Sequence, residues 1–336
     1  MTTAAARAFP NIALVKYWGK RDEDLILPVA GSLSLTLDAF ATTTTVTLTD
    51  KGQDSFRLGG DEVAGEAADR VTRFLDHVRD LAGASARAVV DSTNEAPTGA
   101  GLASSAAGFA ALALAASTAY GLELDAPALS RLARRGSGSA ARSIIPGIAQ
   151  WHAGHDDASS FAEAVDAPDM RMVIVTVSTA QKAVSSREAM RRTAATSPYY
   201  PAWISSTEES LTQMVAACAA GDFTRIGEIT ESHALRMHAV IQACEPPIRY
   251  LAPQSIAIFD AVQALRGEGL EAYATADAGP NIAVIVRPEQ AEALRDALAE
   301  FGPARLVGPG AGATLLGAAA PADGAAPLGD TREALR

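Results

Sequence analysis

The sequence predicts an α+β protein of two domains, and three observations carry that prediction. At 336 residues, the chain exceeds the size at which a single hydrophobic core usually stops growing. It is 48% hydrophobic but only 5% aromatic, so it can bury a sizeable core packed mainly with Ala, Leu, Val and Ile. Its apolar pattern switches between a period of two and a period of three to four in both halves, with no internal repeat.

Taken in order, the first quarter is β-rich. SLSLTLDAFATTTTVTLTD, residues 32–50, has the alternation and β-branched content of half-buried strands, and the Gly-Gly pair of SFRLGGDEVAGE punctuates a hairpin. Val71, Phe74, Leu75, Val78 and Leu81 then recur at helical steps and predict an amphipathic helix over 66–83. ARAVVDSTN, residues 86–94, returns to a strand. A long apolar helix follows to about Tyr120, then a helix over 126–136 and a Gly/Ser turn over 136–143. MRMVIVTVS, residues 170–178, is a strongly apolar strand. Helical patterns over 209–222, 223–241 and 254–269 precede two strands, 271–279 and 281–288. A boundary near residue 180 divides the chain into domains 1–180 and 181–318. The biased composition of 319–336 marks a poorly ordered tail.

Charge narrows the function classes. Lys and Arg number 28 against 39 Asp and Glu, a formal net charge of −11. That excludes a non-specific electrostatic grip on nucleic acid or an anionic membrane, while leaving room for a local cationic cluster that binds a small anion. Cys218 and Cys244 make neither a disulfide framework nor a metal knuckle, which fits a reduced cytoplasm. The first ten residues hold no apolar stretch of a secretory signal. The uncharged run between Glu95 and Glu123 is mostly Ala, Ser, Gly and Thr, and reads as a buried helix rather than a membrane span.

Four stretches carry candidate chemistry. In PTGAGLASSAAG, residues 97–108, a turn with Pro97, Gly99 and Gly101 leads into Ser104 and Ser105 at the opening of an apolar helix. Glycines let the backbone approach an anion and the helix N-terminus favours negative charge, so the stretch is either a phosphate cradle or a plain helix cap. It is neither a Walker A loop nor a GxGxxG fingerprint. RRGSGSAARS, residues 134–143, places Arg135 and Arg142 beside glycines and serines, an anion site or a surface turn. In NIALVKYWGKRD, Lys16 interrupts an apolar run, as a snorkelling edge residue or a cation kept for chemistry. In TADAGPN, Asp277 leaves a strand for a Gly-Pro turn, as an Asx-turn former or a working carboxylate. The pairs His152/His155 and His233/His238 read as structural rather than metal ligands, because no carboxylate cluster accompanies them.

Together these stretches resemble the GHMP superfamily of small-molecule kinases and, within it, the diphosphomevalonate decarboxylase (mevalonate 5-diphosphate decarboxylase) branch. LPVAGSLSLTLD, SSREAMRRTAATSPYYPAW and ALRMHA extend the likeness over nearly the whole chain, in the family's order. The Pro-x-x-x-Gly-Leu-x-Ser-Ser loop alone indicates the superfamily; Lys-Tyr-Trp-Gly-Lys-Arg-Asp and Asp-Ala-Gly-Pro-Asn point to the branch. The resemblance implies a ribosomal-S5-like N-terminal domain, a ferredoxin-like C-terminal domain and an active site in the cleft between them. It also implies ATP and Mg²⁺ as cofactors, a homodimer, and a reaction. The tertiary 3-hydroxyl of (R)-5-diphosphomevalonate is phosphorylated, and loss of phosphate and CO₂ leaves isopentenyl diphosphate.

Residue roles follow from the same resemblance. Asp277 would orient or deprotonate the hydroxyl, with Lys16 offsetting charge beside it. Arg142 would bind the substrate carboxylate, accompanied by Ser137 and Ser139, while Tyr17 and Lys20 line the diphosphate end and Arg191 serves as a phosphate ligand. Pro97, Gly99, Ala100, Gly101, Leu102, Ala103, Ser104 and Ser105 would cradle the ATP phosphates. Ser105 would lie nearest the transferred group, and Mg²⁺ would accompany ATP there. A phosphomevalonate decarboxylase and a mevalonate 3-kinase are sister activities on this scaffold, and a non-catalytic ligand sensor is a reading of another class. Retention of Lys16, Arg142 and Asp277 argues against the kinase, and retention of the carboxylate and the phosphate loop against the sensor. Neither separates a monophosphate from a diphosphate substrate.

Overall fold

The computed structural model describes residues 2–95, 104–180 and 182–317. The loop residues Pro97 to Ala103 and the expected tail 319–336 lie outside the described residues.

The first half runs through β1 (Thr3–Ala8), β2 (Asn11–Val15), the short pair β3 (Lys20–Asp22) and β4 (Leu27–Pro28), β5 (Ser32–Thr36) and β6 (Thr42–Thr49). It continues with β7 (Ser55–Leu58), β8 (Asp61–Glu62), α1 (Glu66–Ala82), β9 (Arg87–Asn94), α2 (Ser104–Ala119), α3 (Ala126–Gly136), α4 (Ala140–Ser143), β10 (Ile148–Trp151) and β11 (Ala162–Ala164). The second half contains β12 (Arg171–Val175), α5 (Ser186–Thr196), α6 (Tyr200–Ala220), α7 (Phe223–Gln242) and α8 (Pro253–Gly267). β13 (Ala272–Ala276), β14 (Ile282–Val286), α9 (Ala291–Leu298), β15 (Ala304–Val307) and β16 (Thr314–Leu316) complete it.

Beside the two-stranded β3-β4 pair, the described residues form three larger sheets: β16-β1-β6-β9-β7-β8, then β11-β10-β5-β2, then β13-β14-β12-β15. β12 thus joins the second-half sheet although it precedes residue 180, and β16 returns to pair with β1. The chain crosses between halves more than once.

Burial explains the local patterns. α2 is apolar around its whole circumference, and such a helix must be enclosed. Ala106, Ala107, Ala110, Ala111 and Ala113 are all fully buried, in the part of the molecule where Val46, Phe74, Leu75 and Val90 form a core with the helix. β2 and β5 are buried at every residue. Their sheet has apolar neighbours on both faces, as strands without clean alternation require. Ile12, Leu14, Leu33 and Leu35 share a core with Met172, Ile174, Phe223, Ile226 and Ile285, so one core joins both halves beneath the strand that leads to Lys16.

The strands expected over 32–50 are β5 and β6. Leu37 to Ala41 turn between them, with Phe40 at a φ of 66°. The helix expected over 209–222 begins earlier, at Tyr200, where Pro201 occupies the first turn and has no N–H to lose.

Close packing of α7 on β13 yields a signed test. Gly227 faces the ring of Tyr273 so closely that an added Cβ would collide with it. Helix propensity alone predicts that Gly227→Ala stabilises by about 1 kcal/mol; overpacking predicts a loss of about 1–3 kcal/mol. We expect the loss, read as a lower urea midpoint at unchanged slope, and a higher midpoint would show that the contact yields.

Candidate active site

Lys16 follows the last residue of β2 and is only 1% exposed. An unpaired ammonium at that depth would cost several kcal/mol. Its Nζ donates to Asp277 Oδ1 at 2.7 Å, across 261 positions of sequence. Asp277 sits just beyond β13, where Gly279 N donates to the Asp277 carbonyl at 2.7 Å in a tight turn. The carboxylate keeps 33% of its side chain exposed, so the pair is anchored at the cation and open at the anion. Burial pulls the Lys16 ammonium below the ordinary lysine range, Asp277 opposes that pull and Arg142 adds to it.

Arg142, on the single turn α4, is also buried. It donates from Nε to Ser34 Oγ at 2.9 Å, from Nη2 to Asn11 Oδ1 at 3.1 Å, and from Nη1 to Ser32 Oγ. The amide of Asn11 is oriented in turn by Ser143 Oγ at 2.7 Å and the Ser139 carbonyl at 3.0 Å. Among the described residues no carboxylate lies within ion-pair distance of Arg142. Burial lowers its pKa to about 10, against the field of Asp277. Lys182 is another cation whose pKa burial lowers and Asp277 raises. One partly exposed carboxylate therefore sits among three cations in a chain of net charge −11. Such a cluster favours an anion.

Three of the serines expected at the site meet, while the Ser104 side chain lies outside those described. Ser137 Oγ lies 3.3 Å from Ser105 Oγ, in the first turn of α2, and 3.3 Å from Ser139 Oγ. Between Ser137 and Ser139, Gly138 leaves room for the Tyr17 ring, since a Cβ there would approach Tyr17 Oη to 2.8 Å. Tyr17 packs edge-on against Trp151 at 4.9 Å, and its buried hydroxyl has no hydrogen-bond partner among the described residues. Lys20 pairs with Glu23, whose charge also reaches Tyr17.

Arg191 does not join this cluster. It is 59% exposed and pairs with Glu188 at 2.9 Å on its own helix. The arginine of that segment whose charge reaches Tyr17 and Arg70 is Arg187, in the first turn of α5. Sequence reasoning also passed over Asn11, Ser32, Ser34 and Lys182. Polar residues at alternate positions of the otherwise apolar SLSLT were the available signal, because a fully buried strand has no solvent face to put them on. Among the described residues, no three His, Cys, Asp or Glu side chains gather as a metal set, and no helix is long and apolar enough to cross a membrane.

Comparison with known proteins shows the family. A model of the diphosphomevalonate decarboxylase-like N-terminal domain matches residues 8–162, and a mevalonate 5-diphosphate decarboxylase C-terminal domain model matches 172–308. Human diphosphomevalonate decarboxylase is 37% identical over 319 residues, covering 87% of this chain and 76% of that protein. The chain belongs to the diphosphomevalonate decarboxylase family. The phosphomevalonate decarboxylase of Haloferax volcanii is 33% identical over 304 residues, covering 89% of this chain and 93% of that protein. A complex of MDDEF with MVAPP, AMPPCP and magnesium matches with a TM-score of 0.89 at 44% identity, covering 94% of this chain and 99% of that one. The α+β architecture is thus the GHMP kinase fold of the diphosphomevalonate decarboxylase family.

Two imidazoles behind the pair set a pH limit on stability. Burial holds His233 well below the ordinary histidine value of 6.5, and brings His238 to about 4. Both protonate near 6.5 once unfolded, so between pH 6.5 and about 4 the unfolded chain binds more protons and stability falls as the pH falls. The His238 share amounts to about 3 kcal/mol by the low-pH end. Urea unfolding across the range from neutral pH into the acid limb measures it: the His238→Gln variant should show a flatter pH dependence than the parent, and equal slopes would show that His238 is not held neutral.

Proposed function

We propose that this chain catalyses the ATP-dependent decarboxylation of (R)-5-diphosphomevalonate to isopentenyl diphosphate, releasing ADP, phosphate and CO₂. The observation that carries this reading is the buried Lys16–Asp277 pair beside an Arg142 that no described carboxylate neutralises. The partly exposed Asp277 carboxylate is free to accept the proton of a substrate hydroxyl. The Lys16 ammonium orients that carboxylate and offsets the negative charge that gathers at the hydroxyl during phosphoryl transfer. Arg142 commits Nε and one N–H from each Nη to Asn11, Ser32 and Ser34. One N–H on each Nη remains for the substrate carboxylate, a planar anion that a guanidinium suits.

Tyr17, whose hydroxyl has no partner among the described residues, and the cations Lys20 and Arg187 serve the diphosphate end. Ser105, Ser137 and Ser139 present hydroxyls to the transferred group at the N-terminal end of α2, and Lys182 adds positive charge. Hydroxyls, cations and a helix N-terminus are a donor set that fits ATP with Mg²⁺. When bound, ATP with Mg²⁺ supplies the phosphoryl group. We place the domain boundary in the link between β11 and β12 rather than at residue 180, and the homodimer and cytoplasmic location belong to this reading through the family resemblance.

A second reading takes a substrate with one phosphate, favoured by the near full-length match to the Haloferax volcanii phosphomevalonate decarboxylase. ADP formation and CO₂ release from purified protein with ATP and Mg²⁺ separate the two, with mevalonate, 5-phosphomevalonate and 5-diphosphomevalonate offered in turn. Equal ADP and CO₂ with the diphosphate alone is the expected outcome. Preference for the monophosphate selects the second reading, and ADP without CO₂ would make the chain a 3-kinase. Asp277→Asn should lower turnover on the order of a thousand-fold with nucleotide binding kept, and parental turnover in that variant would remove Asp277 from the mechanism.

A further inference from the structure

Lys16 lies where the sheet stops supporting the backbone. β2 is an edge strand, it carries a register shift between Ala13 and Val15, and Val15 is its last residue paired with β5. A bulge of this kind re-aims the side chains that follow it, and the next N–H is left without a ladder partner. The Lys16 N–H is nevertheless satisfied: it donates to His233 Nδ1 at 3.1 Å, from α7 in the other half of the chain.

That bond determines the state of the imidazole. Nδ1 must present its lone pair, so the ring proton is on Nε2, where Thr207 Oγ1 accepts it at 3.2 Å. Thr207 then donates to the Trp203 carbonyl at 2.7 Å. The ring also packs at 4.7 Å against Trp203, whose indole Nε1 donates to the Trp18 carbonyl at 2.9 Å. α6 and α7 therefore grip the backbone at residues 16 and 18. A one-residue slip between those points would exchange the directions of the Lys16 and Tyr17 side chains.

We propose that His233 is a positioning residue: as a neutral Nε2–H tautomer it replaces the missing strand neighbour of Lys16 and thereby aims the ammonium at Asp277. The inference rests on the reading of Lys16 and Asp277 given under the proposed function. The histidine suits this task because its surroundings keep it neutral. It is fully buried, and the charges facing it, Arg236 from its own helix and Lys16 from the end of β2, are both positive. A protonated ring would set an N–H against the N–H of Lys16 and end the contact.

Three substitutions at position 233, with Lys16→Ala as a control, test this through kcat, KM and nucleotide affinity. His233→Phe keeps an aromatic ring and removes the acceptor. It should lower kcat roughly ten- to a hundred-fold, the cost of a misaimed reacting group, with KM and nucleotide affinity within about two-fold. His233→Asn places an amide oxygen near the Nδ1 position and should recover most of kcat. His233→Gln directs its amide toward Thr207 and should not. A purely structural role predicts the opposite order, because the smaller polar Asn fills the site worse than Phe.

Parental kcat in a folded His233→Phe, or an Asn variant no better than Phe, overturns the proposal. If the Phe variant does not fold, Thr207→Val decides: a several-fold fall in kcat at constant nucleotide affinity supports the tautomer lock, and parental kcat overturns it. Lys16→Ala at parental turnover would defeat the reading of the pair and this inference with it. An inactive Lys16→Ala beside a fully active His233→Phe defeats this inference alone.

Discussion

A lysine ammonium removed from water is the constraint on which the arrangement depends. Lys16 is almost wholly buried, and desolvation opposes its charge at that depth. The compensating carboxylate comes from Asp277, in the other half of the chain. The charge is therefore stable only when the two halves are docked, and a shared core holds them in place. Ile12 and Leu14 enter that core from β2, Met172 and Ile174 from β12, and Phe223 and Ile226 from α7.

The second constraint is what surrounds Arg142. A carboxylate would be the simplest partner for a buried guanidinium, yet Asn11, Ser32 and Ser34 hold it instead. Neutral acceptors satisfy part of its N–H set and orient it without cancelling its charge. The excess positive charge is left for an anionic ligand, inside a chain that is acidic as a whole. The same logic applies at Asp277, whose one described ion-pair partner is Lys16 and whose exposed side remains available.

Much of the fold was legible from period and composition. The α1 pattern over 66–83 and the all-apolar α2 stand close to where their sequences placed them. β1 was not legible, because TAAARA has the composition of a helix and becomes a strand only by pairing with β6 and β16. At the site, the glycine and serine stretches, Lys16 and Asp277 were readable as unusual residues in unusual settings. The family resemblance pointed to Arg191, whereas position on α5 decides which arginine reaches Tyr17, and that is Arg187. His233 and His238 stand out in the sequence only as a spacing, since nothing local reveals that one of them meets the backbone of Lys16.

By itself the sequence determined the residue types available to the site and the local elements that carry them: a lysine after an apolar strand, an aspartate before a Gly-Pro turn, and serines at a helix start. Those features depend on neighbours within a few positions, where periodicity and turn chemistry act. Only the tertiary structure decided which of them meet. Hydrogen bonds between Lys16 and Asp277, Lys16 and His233, and Arg142 and Asn11 each span more than a hundred positions, and their geometry exists only once burial has packed the two halves together.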